Sequence, residues 1–257
     1  MKTSRFTFLL IAILTIAFYS CSDDNSPGGS SSNNNSGGSN TGGCSGGPTT
    51  VTDIDGNVYN VVSIGNQCWM KENLRTTRYR NGNVIPAPSG NDWFTTTADA
   101  CADPRNDPAN TAVYGKLYNW YAVANPAGLC PTGWHEPENW EWNVLIKFID
   151  ANADTNNSVN SLVAGNAMKE VGLTHWIAPN NGATNSSGFT ALGAGYRDLD
   201  GSDAPLGVAA WWWSSTGDFN SGVQGLAYPK LMIYGSGSVN GSVYSKKAGL
   251  SVRCVRD

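Results

Sequence analysis

The sequence predicts an α+β fold: a single domain of short antiparallel strands with two or three helices, following an unstructured tether. Three observations predict it. Short β-branched runs are broken by Asp-Gly and Asn-Gly pairs, the chemistry of tight hairpins. One stretch carries strong helical periodicity. Strands and helices do not alternate as they would in a βαβ chain. About 200 residues follow residue 50, enough for one domain with a sizeable core.

The elements follow in chain order. "VTDIDGNVYNVVSIG", from Val51, places Asp55-Gly56 between β-branched runs and reads as a hairpin. "RYRNGNVIP" repeats the device with Asn81-Gly82. "GKLYNWYAVA" sets Leu117, Trp120, Tyr121 and Ala124 on one helical face. After Pro137, a residue suited to the start of a helix, "ENWEWNVLIKFIDAN" does so more strongly. There Trp142, Leu145, Ile146 and Ile149 follow the i, i+3, i+4, i+7 rule of an amphipathic helix. "GNAMKEVG" is a third, short candidate. From Phe189 onward the chain reads as brief strands separated by Gly, Ser and Asp. It closes on "GLSVRCVRD", where Leu250, Val252 and Cys254 alternate with Ser251, Arg253 and Val255.

The N-terminus reads as an address. Lys2 and Arg5 precede the apolar run "FTFLLIAILTIAFYSC", which has the pattern of a secretory signal over residues 1–20. Cys21 directly after that run resembles the bacterial lipobox, which implies a lipidated Cys21 and a membrane anchor that does not span the bilayer. Asp23-Asp24 resembles the surface-export signal of Bacteroidota lipoproteins. Residues 21–49 are nearly all Gly, Ser and Asn, too poor in apolar groups to offset the entropy of ordering, and read as a flexible linker. The domain proper is expected over 50–257.

Composition narrows the function. Charged residues make up only 14% of the chain and the net charge is −4, which leaves no basic footprint for a nucleic acid. His135 and His175 share no metal-binding helix motif, and "HEP" stops at a proline. His135 is expected to pack and hydrogen-bond between the Trp134 turn and the following helix. Glu138 and Glu141 suit the helix dipole as well as they suit acid–base work. With no G-x-S-x-G elbow, phosphate loop or C-x-x-C pair, no enzyme, zinc site or obligate cofactor is expected. Two stretches, Asp53-Ile54-Asp55-Gly56 and Asp198-Leu199-Asp200-Gly201, raise calcium. Ile64 and Ala209 stand where an EF-hand needs glutamate, so that loop is excluded. Tight turns need no ion, and a structural calcium stays open chiefly at the second stretch. In "AWWWSST", strand geometry sends Trp211 and Trp213 to one face and Trp212 to the other.

Six stretches in order carry a family resemblance: "VTDIDGNVYNVVSIGNQCWMKENL", "YGKLYNWYAV", "CPTGWHEPENWEW", "TNSSGFTALGAGYRDLDG", "WWWSST" and "SVRCVRD". Together they resemble the Fibrobacter succinogenes major paralogous domain family, over nearly all of Thr50 to Asp257. The chain departs from that pattern at Glu138, where Ser, Thr or Asp is more usual, and in its third tryptophan. The resemblance implies a fold related to C-type lectins and the formylglycine-generating enzyme. It further implies burial for most of the 211–213 tryptophans and a disulfide between Cys130 and Cys254. Cys68 then pairs with Cys101 or Cys44, in an exported protein where disulfides persist.

The expected function is a surface-anchored lipoprotein of the outer membrane with a non-catalytic, adhesin or glycan-binding domain. Its partners would be a glycan or a cell-surface protein, and the membrane through its lipid. The alternative is a structural or accessory subunit of an outer-membrane complex. The ligand site is expected on the loops between Ala183 and Tyr244, with Asp198, Asp200, Asp203, Trp212 and Tyr234 as candidates, because loops carry function on a rigid scaffold.

Overall fold

The computed structural model describes Cys44 and residues 47–88, 92–219 and 222–257. The expected signal peptide, Cys21 and most of the expected linker lie outside the described residues. Among the described residues no helix is long and apolar enough to cross a membrane.

The fold begins with the expected hairpin. Strands β1 (Thr50–Thr52) and β2 (Val58–Ile64) pair antiparallel across Asp55-Gly56. The Asp53 carboxylate accepts the N–H groups of Asp55 and Asn57, both at 2.9 Å, and Gly56 takes the φ of +84° that the turn requires. Strand β3 (Gln67–Met70) continues the meander. Arg78 and Val84 bridge across Asn81-Gly82 in a smaller version of the same device. The first sheet closes with β6 (Trp134–His135) and β12 (Val255–Arg256), in the order β1-β2-β3-β12-β6. The chain's last strand thus sits beside one of its first, in an α+β arrangement of antiparallel sheets.

Strands β4 (Cys101–Ala102) and β5 (Leu117–Tyr118) pair antiparallel as a two-stranded ribbon. It contradicts the helical reading of Leu117. Helix α3 covers only Trp120–Val123, because Asn119 caps it: the Asn119 side chain accepts the Ala122 N–H at 3.1 Å and the Ala100 N–H at 3.0 Å. Two helices upstream lack the expected periodicity: α1 (Asp92–Thr95) and α2 (Pro108–Tyr114). Helix α2 buries no side chain and rests on an Asp107 cap and Pro108 in its first turn.

Helix α4 (Asn139–Ile149) is the expected amphipathic helix and buries Trp142, Leu145 and Ile146. The Glu141 carboxylate accepts the Glu138 backbone N–H at 2.8 Å, which offsets the unusual residue at Glu138. Helix α5 (Ala164–Met168) is the expected short one. The second sheet holds β7 (Val159–Ser161), β8 (Ala209–Gly217), β9 (Leu226–Ile233), β10 (Val239–Gly241) and β11 (Tyr244–Ser245), with β9 central. Its ladder shifts register between Trp213 and Gly217, opposite Pro229, which has no N–H to contribute.

Strand β8 divides the interior. Trp213 and half-buried Trp211 join a core with Tyr59, Met70, Tyr118 and Leu250. Trp212 joins the other, with Trp69, Trp142 and Phe189. The alternation expected of a strand is thus realised as two separate cores. The closing segment runs between them, so residues 250–255 are all buried. Its Arg253 is fully buried, stacks 4.0 Å from the Phe189 ring centre and donates to the Phe189 carbonyl. Asn73 serves as the hub: its side-chain oxygen accepts from Arg253 Nη2 and from Trp212 Nε1, both at 2.8 Å.

Two disulfides fasten this frame. Cys130–Cys254 forms as the resemblance implied, and Cys44 bonds Cys68. The expectation that Cys101 takes part in a bridge is corrected, since it is a free buried thiol. Strand β4 carries it into the first core, where its sulfur lies 3.9 Å from the Ile85 carbonyl. Burial pushes this thiol up to about 11. The bridge at Cys44 ties the end of the linker to the β2–β3 hairpin six residues before β1 begins, so the fold starts earlier than the composition change at residue 50.

Candidate functional site

The loop after Tyr196 is built from turns. The Asp198 N–H donates to the Ser202 carbonyl at 2.8 Å, and the Gly201 N–H donates to the Asp198 carbonyl at 3.0 Å. Gly201 adopts the positive φ this requires. The exposed Asp200 carboxylate accepts both the N–H and the hydroxyl of Ser202, which hold it below the usual carboxylate range. The Asp198 carboxylate accepts from Leu199 N–H at 2.7 Å and from the Tyr244 hydroxyl at 2.9 Å. At the first Asp-x-Asp-Gly stretch the Asp55 carboxylate accepts from Thr76, Thr77 and Arg78. Its acidity is raised by those donors against the opposing effect of burial, to about 2. Both stretches are therefore turns whose carboxylates already serve protein donors. Among the described residues no group of three or more His, Cys, Asp and Glu is placed to hold a metal ion.

The five ligand candidates do not converge. Trp212 is corrected to a core residue: it is fully buried, in contact with Trp142 and Phe189, and donates to Asn73. Asp203 is corrected to an ion-pair partner. It receives Nε and Nη2 of Arg197, each at 3.0 Å, and so neutralises a guanidinium that is only 1% exposed. Tyr234 packs against the second core, apart from the Asp198 loop. Asp198 and Asp200 remain together on that loop.

What the structure places beside Asp198 is an aromatic cluster. The ring centres of Tyr196 and Trp211, and of Trp211 and Tyr244, are each 5.0 Å apart, and those of Tyr196 and Tyr244 are 6.5 Å apart. All three side chains are half-buried, against the first core. Strand β8 turns Trp211 to this face, strand β11 supplies Tyr244, and the Asp198 loop supplies Tyr196. The Tyr244 hydroxyl is raised above the usual phenol range, by burial first and then by its bond to Asp198. Tyr196 and Tyr244 escaped the sequence reading because they are 48 residues apart. The one available signal was the extra tryptophan in the 211–213 run.

His135 sits elsewhere, in the expected bridging role. Its Nε2 lies 2.9 Å from Glu141 and its Nδ1 lies 2.6 Å from Asp257. The hydrogen bond to Glu141, aided by Asp257, raises it to about 9 against the cost of burial. The pair joins the start of α4 to the strand that ends the fold.

The family model of the Fibrobacter succinogenes major domain matches residues 62–256. The chain belongs to that family. The matched stretch runs from inside β2 to β12. The family domain therefore contains the Cys130–Cys254 bridge, the Asn73 hub and the aromatic cluster, while Cys44 and β1 lie before the match. No curated protein and no solved structure matches the chain.

Proposed function

We propose that this chain is a lipid-anchored protein of the outer membrane whose domain is a non-catalytic ligand-binding module, an adhesin or glycan-binding domain facing the exterior. The observation that carries the reading is the half-buried cluster of Tyr196, Trp211 and Tyr244 bordered by Asp198 and Asp200. Aromatic faces accept the apolar side of a sugar ring, and neighbouring carboxylates accept its hydroxyl groups. The lectin-like resemblance and the Cys21 lipobox pattern support the same reading.

The test is a glycan array probed with the full-length chain in detergent. Binding should weaken about tenfold in Trp211→Ala, since a few aromatic anchors dominate such sites. Wild-type protein that binds no glycan, or a Trp211→Ala variant that binds as well, would overturn the assignment. The anchor is tested separately: labelled palmitate should enter wild type and not Cys21→Ser.

A second reading, an accessory subunit of an outer-membrane complex, has one observation in its favour. The outer face of α4 presents Trp140, Val144 and Phe148 at four-residue spacing, 58%, 44% and 64% exposed. Large apolar side chains in a row on a surface helix mark contact surfaces. Crosslinking in intact membranes that captures the same partner in wild type and in Trp140→Ser/Phe148→Ser would count against it.

A further inference from the structure

Among the described residues the fold buries five cations, and one of them differs from the others. Lys116 is paired with Asp103. Arg197 is paired with Asp203. Arg253 donates to Asn73 and the Phe189 carbonyl. The ammonium of Lys169 donates to the carbonyls of Ile233, Tyr234 and Ser236, which uses all three of its N–H bonds. Lys230 is 1% exposed in the middle of β9, with its backbone between Trp212 of β8 and Gly241 of β10. Its ammonium donates to the side-chain oxygens of Asn143 at 2.8 Å and Asn160 at 2.9 Å. No carboxylate pairs with it and no third acceptor meets it among the described residues. A buried charge with neutral partners alone is expensive, and burial accordingly draws this lysine down to about 8.

Lys230 also lines a cavity of about 230 Å³. Asn139, Asn156, Asn160, Tyr228 and Ser242 are among its walls, and no aspartate or glutamate is. Two carboxylates that bond wall residues are turned to other work: Asp154 accepts from Asn156 and Asn157, and Asp218 accepts from the Tyr228 hydroxyl. Gly241 allows the approach, since a Cβ there would lie 3.1 Å from the Lys230 nitrogen and 2.5 Å from Asn160.

We propose that this cavity is a second binding site, distinct from the aromatic cluster, and that it takes a carboxylate flanked by hydroxyl groups, as in a uronic acid residue of an acidic glycan. Lys230 supplies the charge-assisted hydrogen bond to the carboxylate. The amide and hydroxyl walls offer both donors and acceptors, which matches sugar hydroxyls rather than the apolar side chains of a peptide. The volume is below the ~300–1,000 Å³ typical of pockets for drug-sized ligands, so the occupant in contact is about one ring.

The test is titration of the full-length chain with glucuronate and galacturonate, with glucose and an acetylated dipeptide carboxylate as comparisons. At least one uronate should bind, and glucose and the dipeptide should bind about tenfold more weakly or not at all. Lys230→Met should lose uronate binding while retaining the wild-type circular dichroism, because an apolar side chain of similar length relieves a buried charge. Asn156→Asp changes an exposed wall residue only, and should weaken the uronate about tenfold by placing a competing carboxylate beside the lysine. Trp211→Ala should leave uronate binding unchanged, which keeps this site separable from the aromatic cluster. No uronate binding, equal binding of glucose, preference for the dipeptide, or uronate binding that survives in folded Lys230→Met or is unchanged in Asn156→Asp would overturn the proposal.

Discussion

Removing the two disulfides one at a time should reveal their unequal weight. Cys130 and Cys254 are 124 residues apart, and Cys44 and Cys68 only 24. In the chain-entropy description a crosslink restricts the unfolded chain by roughly 2.1 + 1.5R ln n cal/mol/K. For these separations that is about 4.9 kcal/mol for the long loop and about 3.4 kcal/mol for the short one at 25 °C. Packing widens the gap of about 1.5 kcal/mol. Cys130 and Cys254 are both wholly buried in the first core, so alanine there removes two core sulfurs, whereas in the other pair Cys68 is buried there and Cys44 is half-buried at the edge. Paired Cys→Ala variants avoid new thiols, and equilibrium unfolding in guanidinium reads the cost of each. Cys130→Ala/Cys254→Ala should lose at least about 1.5 kcal/mol more than Cys44→Ala/Cys68→Ala, or lose the cooperative transition altogether, since domain stabilities are only about 5–15 kcal/mol. If the short-loop variant is the less stable of the two, the reasoning from loop length is refuted.

Three further outcomes follow from the same structure. The raised pKa of His135, about 9 when folded against 6.5 when free, means that its contribution is complete below pH 6.5 and is lost as pH rises through 9. With the side chain 35% exposed, solvent screening reduces this to about 1 kcal/mol, read as the difference between wild type and His135→Gln across that range. The difference is needed because Lys230, lowered from 10.5 to about 8, acts with the opposite sign over a window that overlaps the upper part of this one. Asn73→Ala should cost at least about 3 kcal/mol in urea unfolding, since it strands the Trp212 N–H and the Arg253 guanidinium inside the protein; a cost below about 1 kcal/mol would remove Asn73 from its central role. Cys101 should resist maleimide in the folded protein and react fully once unfolded, because its thiol is buried and held well above neutral pH; fast labelling of the native state would contradict its placement.

The local elements were legible wherever local chemistry decides. Asp55-Gly56 announced a hairpin because only a turn of that kind uses a positive φ beside a side-chain acceptor. Helix α4 was legible from its apolar stripe, and the alternation of Trp211, Trp212 and Trp213 from strand geometry. Helix α2 was not, because it buries nothing and so leaves no period in the sequence. Leu117 misled for the converse reason: an apolar residue at helical spacing from Trp120 also fits a strand that ends at Asn119.

The sequence by itself determined the class of fold, its main turns and helix, the family, and through family resemblance the Cys130–Cys254 bridge. Only the tertiary structure decided which tryptophan stays near the surface, whether Cys68 meets Cys44 or Cys101, and that Asp203 serves Arg197. It alone brought Tyr196, Trp211 and Tyr244 together, and set Lys230 between Asn143 and Asn160 beside a cavity. The physical reason is range. Turns, caps and amphipathic periods arise between residues a few positions apart, while burial and charge pairing depend on which distant segments pack side by side.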